Sequence, residues 1–440
     1  MGEYIMEGAE LASQLKGQLN SNKESYGMIG EDAPDLHLSE DEIKWWRNAK
    51  FGLFIHWGIY SVIGKGEWAY FNEKMTEEEY RRIAEQDFCP KRSAEEIVGE
   101  WTDTALDAGM KYAVMVTRHH DGFAMWNSAG SWKDFTSMKC GPKTDYVRAF
   151  SDACHVKGLY TGLYYSPMDW RFPGYFDPIG KPESAARMKK QCYDQVKELC
   201  TGFGKVDILW YDGGWLAHQG TDADAAWFWE PLKLNRMVRS YQPGIMLTPR
   251  SGYIGDFKCD EGPHEVTGKI IPIPWEKEMS ISSVWGYQPI DRFWDFSYLL
   301  RMLINVVCRD GNLLLNVGPD AEGYIPETAR NILRQIGEWL SENGESIYGT
   351  RGGCWQPVDN VYGSVQTEHA VYLHILDCGR FREVWLAEGE IPEGKKIESA
   401  TLLDGKVLSI QRNHEMIKVT IPKEIEAENR IDTIVKVSLR

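Results

Sequence analysis

Short, almost purely apolar runs alternate with longer segments of mixed polarity along most of the chain. The runs are KFGLFIHWG (50–58), KYAVMVTRHH (111–120), LYTGLYYSP (159–167), KVDILWYDG (205–213), GIMLTPR (244–250) and GNLLLNVGP (311–319). Strands that are buried on both faces read this way, because neither face meets water. The segments between them, such as SAEEIVGEWTDTALDAG, TDYVRAFSDACHVKG, ESAARMKKQCYDQVKELCTGFG, ADAAWFWEPLKLNRMVRSY and FSYLLRMLINVVCRDG, space their apolar residues helically. The alternation predicts an α/β fold, a (β/α)8-like TIM barrel over residues 41–347, preceded by a polar lead-in over 1–40. A doubly wound open sheet is the other arrangement, but no GxGxxG opens a helix after the first strand. From RGGCWQPVD onward the pattern changes to β-rich runs at hairpin spacing, AVYLHILD, REVWLAE and MIKVTIPK among them, predicting a C-terminal antiparallel β-sandwich over 348–440.

In a barrel the active site lies at the C-terminal ends of the strands. The apolar runs end in His56 and Trp57, in His119, His120 and Asp121, in Tyr164 and Tyr165, in Trp210 and Asp212, in Arg250, and in Asn316. Side chains alternate along a strand, so Trp210 and Asp212 share the inward face and Tyr211 faces the helices. Asp before Gly213 and Gly214 also suits a turn or a helix cap, and both readings stand at this point. Used as a nucleophile, a carboxylate needs a second carboxyl group that gives and takes a proton. The segment 255–278, read as a loop, offers Asp260, Glu261, Glu265, Glu276 and Glu278. Adjacent side chains on an extended strand diverge, so His119 and His120 are expected to bind hydroxyls rather than share a metal ion.

The 440 residues include 43% hydrophobic and 26% charged positions, enough for a substantial core. A net charge of -16 argues against nucleic acid or an anionic membrane as partner, since both reward clustered Lys and Arg. The 18 Trp and 21 Tyr suit the faces of sugars, whose C–H groups stack on aromatic rings. Nine Cys without a CxxC pair read as reduced thiols, and the acidic start MGEYIMEGAELASQLKGQLN has no signal-peptide core, so a cytoplasmic location is expected unless a leader has been removed. No run of 18 apolar residues predicts a membrane span.

KFGLFIHWGIYS, GEW, TRHHDGFAMW, GLYYSPMDW, DILWYDGGW, SVWGYQP and GNLLLNVGP resemble, in this order, the motifs of the α-L-fucosidases of glycoside hydrolase family 29, from about residue 40 to 345. The resemblance implies a retaining hydrolase, independent of metals and cofactors, that removes fucose from oligosaccharides or glycoconjugates through a covalent fucosyl intermediate. It places the nucleophile at Asp212 and sugar-binding residues at His56, Glu67, His119, His120, Trp210 and either Tyr165 or Tyr164. Arg250 resembles the arginine that precedes the acid/base residue. DFKCDE (256–261) resembles the family's acid/base segment and gives Glu261, with Cys259 and Asp260 as departures and Glu276 in PWE as its rival. The alternatives are a fucose-binding protein with weak catalysis and a retaining barrel glycosidase for another sugar such as galactose. A homo-oligomer is compatible with the sequence.

Overall fold

Ser39 starts the first helix, α1 (Glu40–Ala49), by accepting from the Glu42 backbone N–H while the Glu42 carboxylate accepts from Ser39 N. The helix turns Ile43, Trp46 and Ala49 inward. Trp46 stacks on Phe257 at 4.7 Å, and its carbonyl accepts from Asn312 Nδ2 at 2.7 Å. α1 thereby plugs the N-terminal end of a barrel. The computed structural model describes residues 30–376, 378, 382–426 and 431–440, so most of the expected lead-in lies outside the described residues.

The barrel strands are β1 (Phe51–Ile55), β2 (Tyr112–Arg118), β3 (Tyr160–Tyr165), β4 (Ile208–Tyr211), β5 (Met246–Leu247), β6 (Lys258–Glu261), β7 (Trp275–Ser280) and β8 (Asn312–Val317). All pair in parallel, in the spatial order β5-β4-β3-β2-β1-β8-β7-β6. Helices α2 (Ala94–Asp107), α3 (Tyr146–Lys157), α4 (Pro182–Gly202) and α5 (Pro231–Tyr241) precede β2 to β5. α6 (Phe296–Cys308) precedes β8 and α7 (Glu327–Asn343) follows it. β5 and β6 are followed by irregular chain instead of helices, which departs from eight regular units.

Two devices stand in for the absent helices. Between β5 and β6 the sheet has no ladder; instead Asp256 N donates to Leu247 O at 2.8 Å and Leu247 N donates to the Asp256 carboxylate at 2.7 Å. Arg239 of α5 closes on that carboxylate at 2.8 Å. After β6 the C-terminal domain covers the chain, with Gly268 N donating to Asp359 and Ile270 N to Gln356.

That domain has a five-stranded sheet, β13-β16-β11-β10-β9, and a three-stranded one, β12-β15-β14. Their spans are β9 (Arg351–Gly352), β10 (Tyr362–Gln366), β11 (Ala370–Ile375), β12 (Glu383–Ala387), β13 (Ile397–Leu402), β14 (Ile410–Asn413), β15 (Met416–Thr420) and β16 (Thr433–Leu439). Along β11, Val371, Leu373 and Ile375 enter the core between the sheets, while Ala370 and Tyr372 join the core of the barrel. Gly363 of β10 lets the sheet lie on α6, since a Cβ there would meet Cys308 Sγ at 2.6 Å.

Asp256→Ala should leave the Arg239 charge and the Leu247 N–H without their partner, and cost about 3–5 kcal/mol of stability. Chemical denaturation measures this, and a loss below about 1 kcal/mol would mean that the seam closes without Asp256.

Candidate active site

β4 places its residues as strand alternation requires. Trp210 points into the barrel, where its Nε1 donates to Glu276 at 3.1 Å, and Tyr211 is buried on the helix side. Asp212 emerges at the mouth. Its carboxylate accepts from Tyr164 OH at 2.7 Å, lies 3.5 Å from His120 Nε2 and pairs with Arg250 at 2.6 Å. Burial and the Asp212 charge hold the Tyr164 phenol protonated, so it stays a donor. Gly213 has φ +74°, and a Cβ there would lie 2.8 Å from the His120 ring, so glycine is needed for the chain to turn away.

Arg250, in the turn Pro249–Ser251 after β5, joins three acids. Besides Asp212 it donates to Glu261 at 2.9 Å, and its Nε lies 3.5 Å from Asp222. Burial opposes the cation, but Asp212, Glu261 and Asp222 more than offset that. Glu261 ends β6, so two carboxylates from opposite ends of the sheet order meet on one guanidinium. Asp222 comes from the loop after β4. Burial pushes its carboxyl up to about 7 against the pull of Arg250, and it accepts from Gly214 N at 2.7 Å.

The histidines line the other side. His56 Nδ1 lies 2.7 Å from Asn316 Oδ1, and burial lowers its pKa to about 4. β2 ends at Arg118 after a shift of register, so His119 and His120 are no longer on a strand. Their rings lie 4.0 Å apart instead of diverging, and both reach the pocket. Burial takes both well below the ordinary histidine value. His120 Nδ1 lies 2.6 Å from Ser166 Oγ, and no described group partners His119 Nδ1. Glu67 accepts from Gly286 N at 2.9 Å, and burial raises its pKa. Trp285, one residue earlier, puts its ring 5.3 Å from His56. A scaffold beneath fixes the strand ends: Arg118 and Arg171 both bind Asp169, at 2.7 and 2.6 Å. One nitrogen of each of His119 and His120 and an oxygen of Asp212 lie within 4.8 Å of one another. That trio could ligate a cation, but Arg250 already sits on the same carboxylate and repels a second positive charge.

Several sequence candidates lie elsewhere. Tyr165 points outward, its hydroxyl donating to Gln195 of α4 at 3.0 Å, and Tyr164 occupies the pocket in its place. The register pairs Tyr164 with Trp210, so the parity that turns Trp210 inward also selects Tyr164. Glu276 sits deep in the barrel, accepting from Tyr112 OH at 2.6 Å and from Trp210, away from Arg250. Glu278 is buried beside it on β7. Asp260 faces outward to Lys277 at 3.1 Å and His264 at 2.9 Å, and Glu265 is exposed. Asp222 was not legible in advance, because nothing distinguishes it from other polar loop residues.

The profile of the family described as Alpha-L-fucosidase matches residues 30–345. A plasma α-L-fucosidase from Rattus norvegicus is 30% identical over 334 residues, covering 70% of this chain and 70% of its own. An α-L-fucosidase from Dictyostelium discoideum is 29% identical over 417 residues, 86% of each chain. The solved structure of α-L-fucosidase isoenzyme 1 from Paenibacillus thiaminolyticus is similar at a TM-score of 0.76 and 31% identity, covering 91% of this chain and 99% of that one.

Burial moves the Glu276 carboxyl from 4.5 to about 7. Between those values the folded chain keeps a proton that the unfolded chain has released, so stability falls as pH rises through that window. Glu276→Gln has no such proton to lose. Its melting temperature relative to the parent protein should therefore rise between pH 4.5 and 7, and a constant difference would show that Glu276 ionises normally.

Proposed function

The chain belongs to the α-L-fucosidase family, glycoside hydrolase family 29, and from that premise we propose that Asp212 and Glu261 together hydrolyse terminal α-L-fucosides with retention. The observation that supports this most directly is the single guanidinium of Arg250 bound to both carboxylates at the barrel mouth. Retaining glycosidases need their two carboxyl groups about 5–5.5 Å apart, close enough for one to attack a carbon whose leaving oxygen the other protonates.

Glu261 gives its proton to the glycosidic oxygen while Asp212 attacks the anomeric carbon, and the aglycone departs from a fucosyl ester of Asp212. Water then attacks that carbon, Glu261 takes the proton, and the Asp212 carboxylate is released. Two inversions leave the configuration as it began. Tyr164 and Arg250 hold the Asp212 oxygens. His56, His119 and His120 are kept neutral by burial; His56, whose Nδ1 donates to Asn316, has its Nε2 left to accept from a ring hydroxyl, and His119 and His120 each have a ring nitrogen to offer another. Glu67 faces the same space, and the rings of Phe54, Trp210 and Trp285 supply an apolar wall for a methyl group. The substrate is a fucosylated glycan. Nine free cysteines, most of them buried, support a cytoplasmic location, and no helix among the described residues is long and apolar enough to cross a membrane.

Asp212→Ala should abolish hydrolysis while the protein still folds and binds fucose. Glu261→Ala should slow natural substrates roughly 10²–10⁴-fold yet spare those with good leaving groups. Azide should restore its turnover by capturing the intermediate as α-L-fucosyl azide. Rescue of Glu276→Ala in place of Glu261→Ala would overturn the assignment.

Tyr164→Phe removes a donor to a charged acceptor and should lower kcat/KM by about 1.5–3 kcal/mol, some tenfold to hundredfold. Tyr165→Phe should change kcat/KM less than about twofold and cost about 1 kcal/mol of stability. Equal losses of activity in both would contradict the inward placement of Tyr164.

A further inference from the structure

Beside the catalytic carboxylate, a second group of aromatic side chains reaches the surface. Trp68 and Phe71 come from the loop after β1, and Trp170 and Phe176 from the loop after β3. Trp68 and Trp170 each pack edge-on against His120, at 5.6 and 5.2 Å, so the group is continuous with the floor on which Asp212 lies. Phe71 and Phe176 are 39% and 43% exposed, and their rings are nearly parallel at 6.5 Å. Large exposed rings cost free energy in water, and beside a sugar pocket they form a surface on which a second ring can stack.

His218, from the loop after β4, stands among them. Its ring lies 4.7 Å from Phe71, 5.5 Å from Trp68 and 6.1 Å from both Trp170 and Phe176. A tight turn puts it there. Gln219 N donates to Leu216 O at 3.0 Å, and the two residues between, Ala217 and His218, have φ 55° and 54°. Gly or Asn normally fills such positions, because a side chain there costs about 1–2 kcal/mol per residue. Tyr175 holds the strained turn in place, its carbonyl accepting from Ala217 N at 3.1 Å and its hydroxyl from His218 N at 3.2 Å. His218 Nε2 is buried within the group and has no hydrogen-bond partner among the described residues. Burial lowers its pKa, which leaves a neutral imidazole able to donate or accept. An orphaned polar atom at the tip of a strained turn is an expense that a ligand would redeem.

We infer that His218 and the rings of Trp68, Phe71 and Phe176 form a subsite for the sugar attached to fucose, with His218 Nε2 hydrogen-bonding one of its hydroxyls once the exposed rings of Phe71 and Phe176 part to admit it. The inference rests on the fucosidase reading and adds where the rest of the glycan lies. Specificity for extended substrates then depends on the turn 216–219 as well as on the fucose pocket.

Two substrates separate the subsites: a fucosylated oligosaccharide, and α-L-fucosyl fluoride, which has no second sugar. For His218→Ala and for His218→Phe, which keeps an aromatic ring but no polar atom, the ratio of kcat/KM on the oligosaccharide to that on the fluoride should fall about three- to tenfold. Most of that fall should lie in KM for the oligosaccharide. An unchanged ratio in His218→Phe, whether both substrates suffer equally or neither does, would overturn the inference and leave the fucosidase reading intact. Absence of turnover of both substrates by the parent protein would overturn both.

Discussion

A guanidinium that is almost closed off from water must be surrounded by negative charge, and the surroundings of Arg250 meet that demand with groups drawn from the ends of β4 and β6 and from the loop after β4. Its side chain is 4% exposed, and each of its acids comes from a separate stretch of chain: Asp212 after β4, Asp222 from the following loop, and Glu261 at the end of β6. A buried ion left without partners costs several kcal/mol, so the cation aligns these stretches as firmly as a packed core would. In the proposed mechanism, a fucosyl ester on Asp212 would remove the charge of that acid, while Asp222 and Glu261, which has by then given up its proton, would still hold the guanidinium. Arg250 would thus keep its place through both halves of that reaction.

The parts of the fold that were legible in the sequence are those whose barrel-facing positions are apolar. β1 to β5 and β8 announce themselves as apolar runs, and their helices as spaced ones. β6 and β7 do not. KCDE and WEKEMS read as a polar loop because their inward positions hold Cys259 and Glu261, and Glu276 and Glu278. Tyr112 and Trp210 provide the donors that let Glu276 occupy an interior where sequence patterns expect Val or Leu. A strand whose inward side chains are matched by partners on other strands leaves no local trace, since its partners are distant in sequence.

The placement of several candidate site residues was legible for related reasons. Asp212 and Trp210 followed from alternation along an apolar strand, and the same alternation, carried across the β3–β4 register, distinguishes Tyr164 from Tyr165. The paired histidines misled geometry, because the strand ends one residue before His119 and frees both rings to turn inward. Asp222 and His218 lie in a loop whose path is set by contacts with Arg250 and Tyr175, which no local pattern encodes.

The break in the ladder between β5 and β6 has a mechanical side. Followed along its hydrogen bonds, the sheet is one curled ribbon with β5 at one end and β6 at the other, and Asp212 and Glu261 sit near opposite ends of it. The gap between them is spanned by a few side chains, Asp256 and Arg250 chief among them, rather than by a row of backbone bonds. Any slight uncurling of the ribbon widens the distance between the two acids before it disturbs either one's own strand. A ligand held by both acids, as in the proposed mechanism, would resist that opening, and its binding would then be coupled to the tightness of the whole barrel.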